Sequence, residues 1–205
     1  MSETIAEKRV VFCGDVNLAA REGFPALLEA HANLSQVSPK LRMFRVPFAG
    51  ERLSGYAKRI QRDVLTLAPE LLVIIPGSAD FLFEVRPKWE QWVTHVHEAI
   101  SVALSSLSKE RIVLCSSLPL SEDPGYSLNA ATADFNRALK EMANTQAISY
   151  CDLFFYLQET APKVRPARLT VDGFTLSPVG NFLVFLRLSA FLGLDRNAPA
   201  SSAGQ

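Results

Sequence analysis

Five short runs of almost unbroken apolar residues punctuate the chain: "RVVFCG", "KLRMFRVPF", "ELLVIIPG", "RIVLCSS" and "AISYCDLF". Continuous apolar runs of this length suit strands covered on both faces, the condition of a parallel sheet. Between them the period changes to that of a helix. In "WEQWVTHVHEAISVALSSL", Trp89, Trp92, Val93, Val96, Ile100, Ala103, Leu104 and Leu107 fall three or four apart on one face. Further helices are expected at roughly 22–31, 51–66 and 128–144, and a last one at "SPVGNFLVFLRLSAFL", with Ser177 as N-cap and Pro178 as its first residue. Strand and helix alternate throughout, so the expected fold class is α/β: a flavodoxin-like three-layer α/β/α sandwich with a five-stranded parallel sheet.

A chain of 205 residues, 48% hydrophobic, suits one domain, expected at 8–195 after a short extension (1–7) and before a disordered tail (196–205). No Pro/Gly/Ser-rich linker divides it, and 153–176 is expected as its one long irregular stretch, a place where function often lies. Lysine plus arginine and aspartate plus glutamate both total 21, so no net field favours nucleic acid. No apolar run reaches the about 20 residues that span a bilayer. With no leader pattern at the start, a cytoplasmic location without membrane insertion is expected. Cys13, Cys115 and Cys151 lack metal-ligand spacing and read as free, buried thiols at strand ends.

In an open parallel sheet the functional crevice lies beyond the carboxyl ends of the strands. The loops that reach it carry "GDVN", "PFAGERLSG", "PGSADF" and "VDGFTLSPVG". Their order and spacing resemble the SGNH, or GDSL-type, esterase and lipase family over nearly all of residues 9–193. The resemblance matches "GDV" to that family's Gly-Asp-Ser, "GSAD" to its Gly-x-Asn-Asp, and "DGFT" to its Asp-x-x-His before a C-terminal helix. It implies the SGNH hydrolase fold and an ester-hydrolase ancestry.

The departures fall on the chemistry. The family's nucleophile position is Val16 and its base position Thr175, while the orienting aspartate is kept as Asp172. Valine has no nucleophile, and threonine is no base near neutral pH. The family's oxyanion hole also uses a side-chain amide where this chain has Ala79, and a backbone N–H of the second block. That second position is Pro47, which has no N–H, if "PFAG" is counted against "GxSG"; it is Gly50 if the alignment slides, and the residues after it favour Pro47. Losing a nucleophile or base leaves roughly 10³ to 10⁴ of acceleration, and a lost hole donor removes about 10² to 10³ more. The expectation is therefore a pseudoenzyme: a degenerate member lacking the catalytic serine and histidine.

Other residues offer little replacement chemistry. His95 and His97 point about 200° apart on a helix, His31 sits near a helix end, and Ser78 and Ser177 have no expected base partner. Asp15, Asp80 and Asp172 are expected to reach the same crevice, with turn or capping roles favoured over a metal. No cofactor and no metal are expected. The replacements turn a polar pocket apolar, so a binding, scaffolding or regulatory role is expected, through Asp15, Val16, Asn17, Phe48, Ser78, Ala79, Asp80, Phe81, Phe174 and Thr175. The partner would be a protein or a small apolar ligand, with a homo-oligomer or a heteromer with an active paralogue as options. The alternative reading is an SGNH esterase or acyl hydrolase using non-standard catalytic residues or a metal. Leu153 to Leu157, "LFFYL", is expected as core or as an interface, and Lys163, Arg165 and Arg168 as a solvated loop or a contact to an acidic partner.

Overall fold

Along β1 (Glu7–Gly14) alternate side chains part company: Val10 and Phe12 enter one apolar cluster, Val11 and Cys13 the other. Period-two alternation does this in any strand, and here both faces are covered. In the computed structural model, which describes residues 7–34, 40–77, 79–83, 88–121, 123 and 125–194, four further strands share that division. They are β2 (Lys40–Pro47), β3 (Leu71–Ile75), β4 (Ile112–Cys115) and β5 (Ser149–Cys151), all parallel, in the order β2-β1-β3-β4-β5. The expected extension 1–7, apart from residue 7, and the expected tail 196–205 lie outside the described residues, as do Ser78 and the side chain of Ala79.

One face is covered by a mixed helical run and by α4 (Trp89–Leu104) and α5 (Ser127–Gln146). The run consists of a 3-10 turn (Leu53–Gly55), α2 (Tyr56–Arg59), a π segment (Ile60–Val64) and a second 3-10 turn (Leu65–Leu67), where the sequence suggests a single helix. The short α3 (Ala79–Phe83) follows β3, and its Phe81 joins the same cluster as Tyr56, Trp92 and Phe135. The opposite face is covered by α1 (Phe24–Leu34), α6 (Phe154–Thr160) and α7 (Pro178–Phe191), through Phe24, Leu28, Leu157, Val184 and Leu188. The architecture is the expected three-layer α/β/α sandwich. Because β1 lies between β2 and β3, the crossover from β1 to β2 through α1 and the crossover from β2 to β3 through the mixed helical run cover opposite faces, and a crevice opens at the carboxyl end of β1.

The stretch 153–176 is more ordered than expected. It holds α6 and a 3-10 turn (Ala161–Val164). The start of α6 is capped from β4's end, where the Ser116 hydroxyl oxygen accepts from the N–H groups of Leu153 and Phe154 at 2.9 and 2.8 Å. Within "LFFYL", Leu153, Phe154 and Leu157 are buried and Phe155 is exposed. Ser177 caps α7 as expected, accepting from Gly180 N–H at 3.1 Å.

Candidate functional site

The crevice begins with a residue that has no side chain. Gly14 ends β1 at φ +112°, and a Cβ there would lie 2.0 Å from the Ile75 carbonyl oxygen. Glycine alone fits this turn. The next residue is tied to the same carbonyl, Asp15 N–H donating to Ile75 O at 2.8 Å. Asp15 then caps a 3-10 turn (Val16–Ala19), its Oδ1 accepting from Asn17 N–H at 2.8 Å and Asn17 Nδ2 at 2.7 Å. The carboxyl is 2% exposed. Burial raises its pKa to about 6, against the opposing pull of the two Asn17 hydrogen bonds.

Asn17 fastens this turn to the loop before α7. Its Nδ2 also donates to the Phe174 carbonyl at 3.0 Å, and its Oδ1 accepts from Leu176 N–H at 2.7 Å. Thr170 and Leu176 form an antiparallel bridge that closes the loop. Inside it, Asp172 Oδ1 accepts from Thr175 N–H at 2.6 Å and from Phe174 N–H at 3.0 Å, while Oδ2 accepts from the Thr175 hydroxyl at 2.8 Å. These bonds, that from the Thr175 backbone first, hold the carboxyl below the usual range. An ionised carboxylate held this way accepts hydrogen bonds well and takes up protons poorly.

The structure thus brings Asp15, Val16 and Asn17 to the same place as Asp172, Phe174 and Thr175. Val16, Val171 and Phe174 stand open at 38%, 64% and 39% exposure. Beside them, Ser121, Arg168, Thr170, Val171, Asp172 and Gly173 line a depression of about 360 Å³. Its walls are mainly polar, in contrast to the apolar crevice suggested by sequence.

Three expected lining residues belong elsewhere. Phe48 is buried edge-on against Tyr56, with ring centroids 4.8 Å apart, and the Arg59 guanidinium lies 4.6 Å from its ring centroid. Phe81 is buried against Trp92 and Phe135 at 4.4 and 5.4 Å. Both rings turn into the core cluster, where burying an aromatic side chain removes its apolar area from water. Asp80 is also buried, and its Oδ2 accepts from Leu53 N–H at 2.8 Å, fixing the start of the mixed helical run. The three aspartates therefore do not share one open crevice. Among the described residues no group of three or more His, Cys, Asp or Glu is placed to hold a metal ion.

Pro47 ends β2 directly opposite Gly14 in the β1–β2 register, and Phe48 N–H donates to the Gly14 carbonyl at 2.6 Å. Gly50 lies three residues further on, at φ +72° with open space around it. The cysteines are buried and unpaired by disulfides, and burial pushes the thiols of Cys13 and Cys115 up, away from nucleophilic thiolate.

Sequence reasoning missed two residues that hold the site. The Tyr56 hydroxyl oxygen accepts from Gly77 N–H at 2.8 Å, pinning the end of the β3 loop. Asn181 accepts from Phe24 N–H at 3.0 Å and donates to the Leu176 and Ser177 carbonyls at 3.2 and 3.1 Å, joining α1 to α7. Asn181 closes the matched block "LTVDGFTLSPVGN", which was the available signal. Nothing near Tyr56 in sequence points to Gly77.

No protein-family model matches the sequence, and no curated protein matches it. Solved structures do match. The acetyl xylan esterase AlAXEase superposes with a TM-score of 0.81 at 18% identity, covering 90% of this chain and 99% of its own. LAE5, an alpha/beta hydrolase enzyme from the metagenome of Lake Arreo, Spain, gives 0.80 at 17%, covering 91% and 95%. Axe2, an acetylxylan esterase from Geobacillus stearothermophilus, gives 0.79 at 15%, covering 92% and 96%. Catalytic mutants of Axe2 alter a serine, an aspartate, and a histidine three residues after that aspartate. At these identities the likeness is one of fold, and the chain has the three-layer SGNH hydrolase fold.

Proposed function

We propose that this chain is a non-catalytic protein of SGNH hydrolase type, which binds a partner or ligand at the mouth of a former ester-cleaving site. The observation that carries this reading is the Asp172–Thr175 pair. The hydrogen bond that an orienting aspartate would offer a histidine is taken by a threonine hydroxyl at 2.8 Å. The carboxylate beyond it is held ionised, so the pair supplies neither a base nor an activated nucleophile. Val16, at the nucleophile position, supports the same reading, as do Pro47 and Ala79 at the oxyanion-hole positions.

In place of catalysis the site offers contact. Val16, Val171 and Phe174 present apolar surface beside the ionised Asp172 and the depression that Arg168 helps to line. A protein partner, including an active paralogue, or a small ligand with an apolar end would use both kinds of group.

The test is kinetic and chemical. The purified chain is expected to hydrolyse 4-nitrophenyl acetate and an acetylated xylo-oligosaccharide no faster than buffer, and to resist labelling by a fluorophosphonate. Turnover that is lost in Thr175→Ala or Asp172→Asn would overturn the reading in favour of an esterase with non-standard residues.

A further inference from the structure

The outward face of α7 breaks the rule that surface helices follow. A helix packed on a sheet normally turns charged and polar residues outward, but along α7 the exposed positions are Pro178 at its start, then Phe182, Leu186 and Ala190, spaced four apart. Phe182 is 50% and Leu186 38% exposed. The helix carries one charged residue, Arg187, and that is turned towards α6. Its Nε donates to the Asp152 carbonyl at 3.4 Å, and its guanidinium lies 5.6 Å from the Tyr156 ring centroid. Phe185 extends the apolar face towards α1, its ring centroid 5.7 Å from that of Phe182 and 5.4 Å from that of His31.

We infer that this face is the interface of a two-fold homodimer, with α7 of one copy crossing α7 of a second at Leu186. The stripe is complementary to itself. In an antiparallel pair centred on Leu186, the large Phe182 of each copy meets the small Ala190 of the other, and Leu186 meets Leu186. An isologous contact requires this reciprocity, and side chains spaced four apart form the ridges of the commonest helix crossing.

Charge and area agree with a second copy as the occupant. The stripe buries no charge, and a chain of net charge +0 does not repel itself. The apolar surface left open on Phe182, Leu186 and their neighbours is on the order of 200–300 Å². That suits the dry centre of an interface of about 800 Å² per partner, with polar residues of the neighbouring α1 as part of its rim. This inference is independent of whether the crevice binds or cleaves.

Sedimentation velocity of the full chain across 1–100 µM tests it. A concentration-dependent dimer is expected, and Leu186→Asp is expected to shift it to monomer by at least tenfold in dissociation constant while the circular dichroism spectrum stays unchanged. Cross-linking tests the register and does not depend on that variant folding. Leu186→Cys should form a covalent dimer with diamide as oxidant, two thiols passing two protons and two electrons to the diamide as they join in one disulfide, while Ala190→Cys should not. The native thiols are buried and stay out of the reaction. A monomer at every concentration, a dimer indifferent to Leu186→Asp, or equal cross-linking of the two cysteine variants would each overturn the proposal.

Discussion

The Thr175 hydroxyl donates to Asp172 Oδ2 at 2.8 Å, and the Thr175 N–H donates to Oδ1 of the same carboxylate. The ionised aspartate accepts from this position as it would from a histidine that it orients. Thr175 and Val16 are both exposed, so a histidine and a serine fit at these positions without displacing core. The double variant Val16→Ser/Thr175→His is expected to hydrolyse 4-nitrophenyl acetate about 10²-fold faster than the parent, the lower range of general base catalysis, because Pro47 still withholds a donor. Each single variant should stay at background. Initial rates of the four proteins decide it.

The buried Asp15 links stability to pH. Its folded-state pKa, about 6, lies above the usual 3.8, so the folded protein holds this proton more tightly than the unfolded chain does. The stability it contributes is full below about pH 4 and is lost as pH rises through about 6. Asp15→Asn cannot ionise and keeps an oxygen for Asn17. Relative to the parent, the variant should gain on the order of 2 kcal/mol between pH 4 and pH 7.5. Urea unfolding at both values measures the difference, and a constant gap would contradict the assignment.

Asn17 uses both ends of its amide on groups far away in the chain, with Asp15 as a third partner. Asn17→Ala leaves the Leu176 N–H and the Asp15 carboxyl short of partners. A loss of about 2–4 kcal/mol is expected in denaturant unfolding. Amide exchange should speed up most at Leu176 if the bridging role is correct.

Aromatic residues of the site loops separate by burial. Phe81→Ala should cost about 3–5 kcal/mol, because it empties the space between Trp92 and Phe135. Phe174→Ala should cost less, about 1–2 kcal/mol, since that residue is 39% exposed and leaves no closed cavity. Thermal melts of the two variants distinguish a core ring from a contact ring.

The sheet was legible because burial on both faces writes itself as unbroken apolar runs: β2 to β5 fall inside the runs that suggest them, and β1 starts at Glu7, just before its run opens at Arg9. Ser177 and Pro178 marked the start of α7 by local chemistry alone. What escaped was settled by partners distant in sequence. Ser116 caps α6 from 37 residues away, and "LFFYL" has no polar face to betray a helix. Phe48 and Phe81 share loops with true rim residues, and only tertiary packing turns their rings inward. The site was readable as a set of aligned blocks, and Thr170 to Gly173 of the last block line the depression, but Ser121 and Arg168, which complete its walls, lie outside those blocks.

The Asn17 to Phe174 bond also has a consequence for synthesis. Its two ends are 157 residues apart, and ribosomes add about 5–20 residues per second. The turn after β1 therefore waits roughly eight to thirty seconds for the segment that satisfies it. Until α7 leaves the exit tunnel, the nascent chain carries β1 without its closing clasp, and a translational pause before residue 170 would prolong that vulnerable interval.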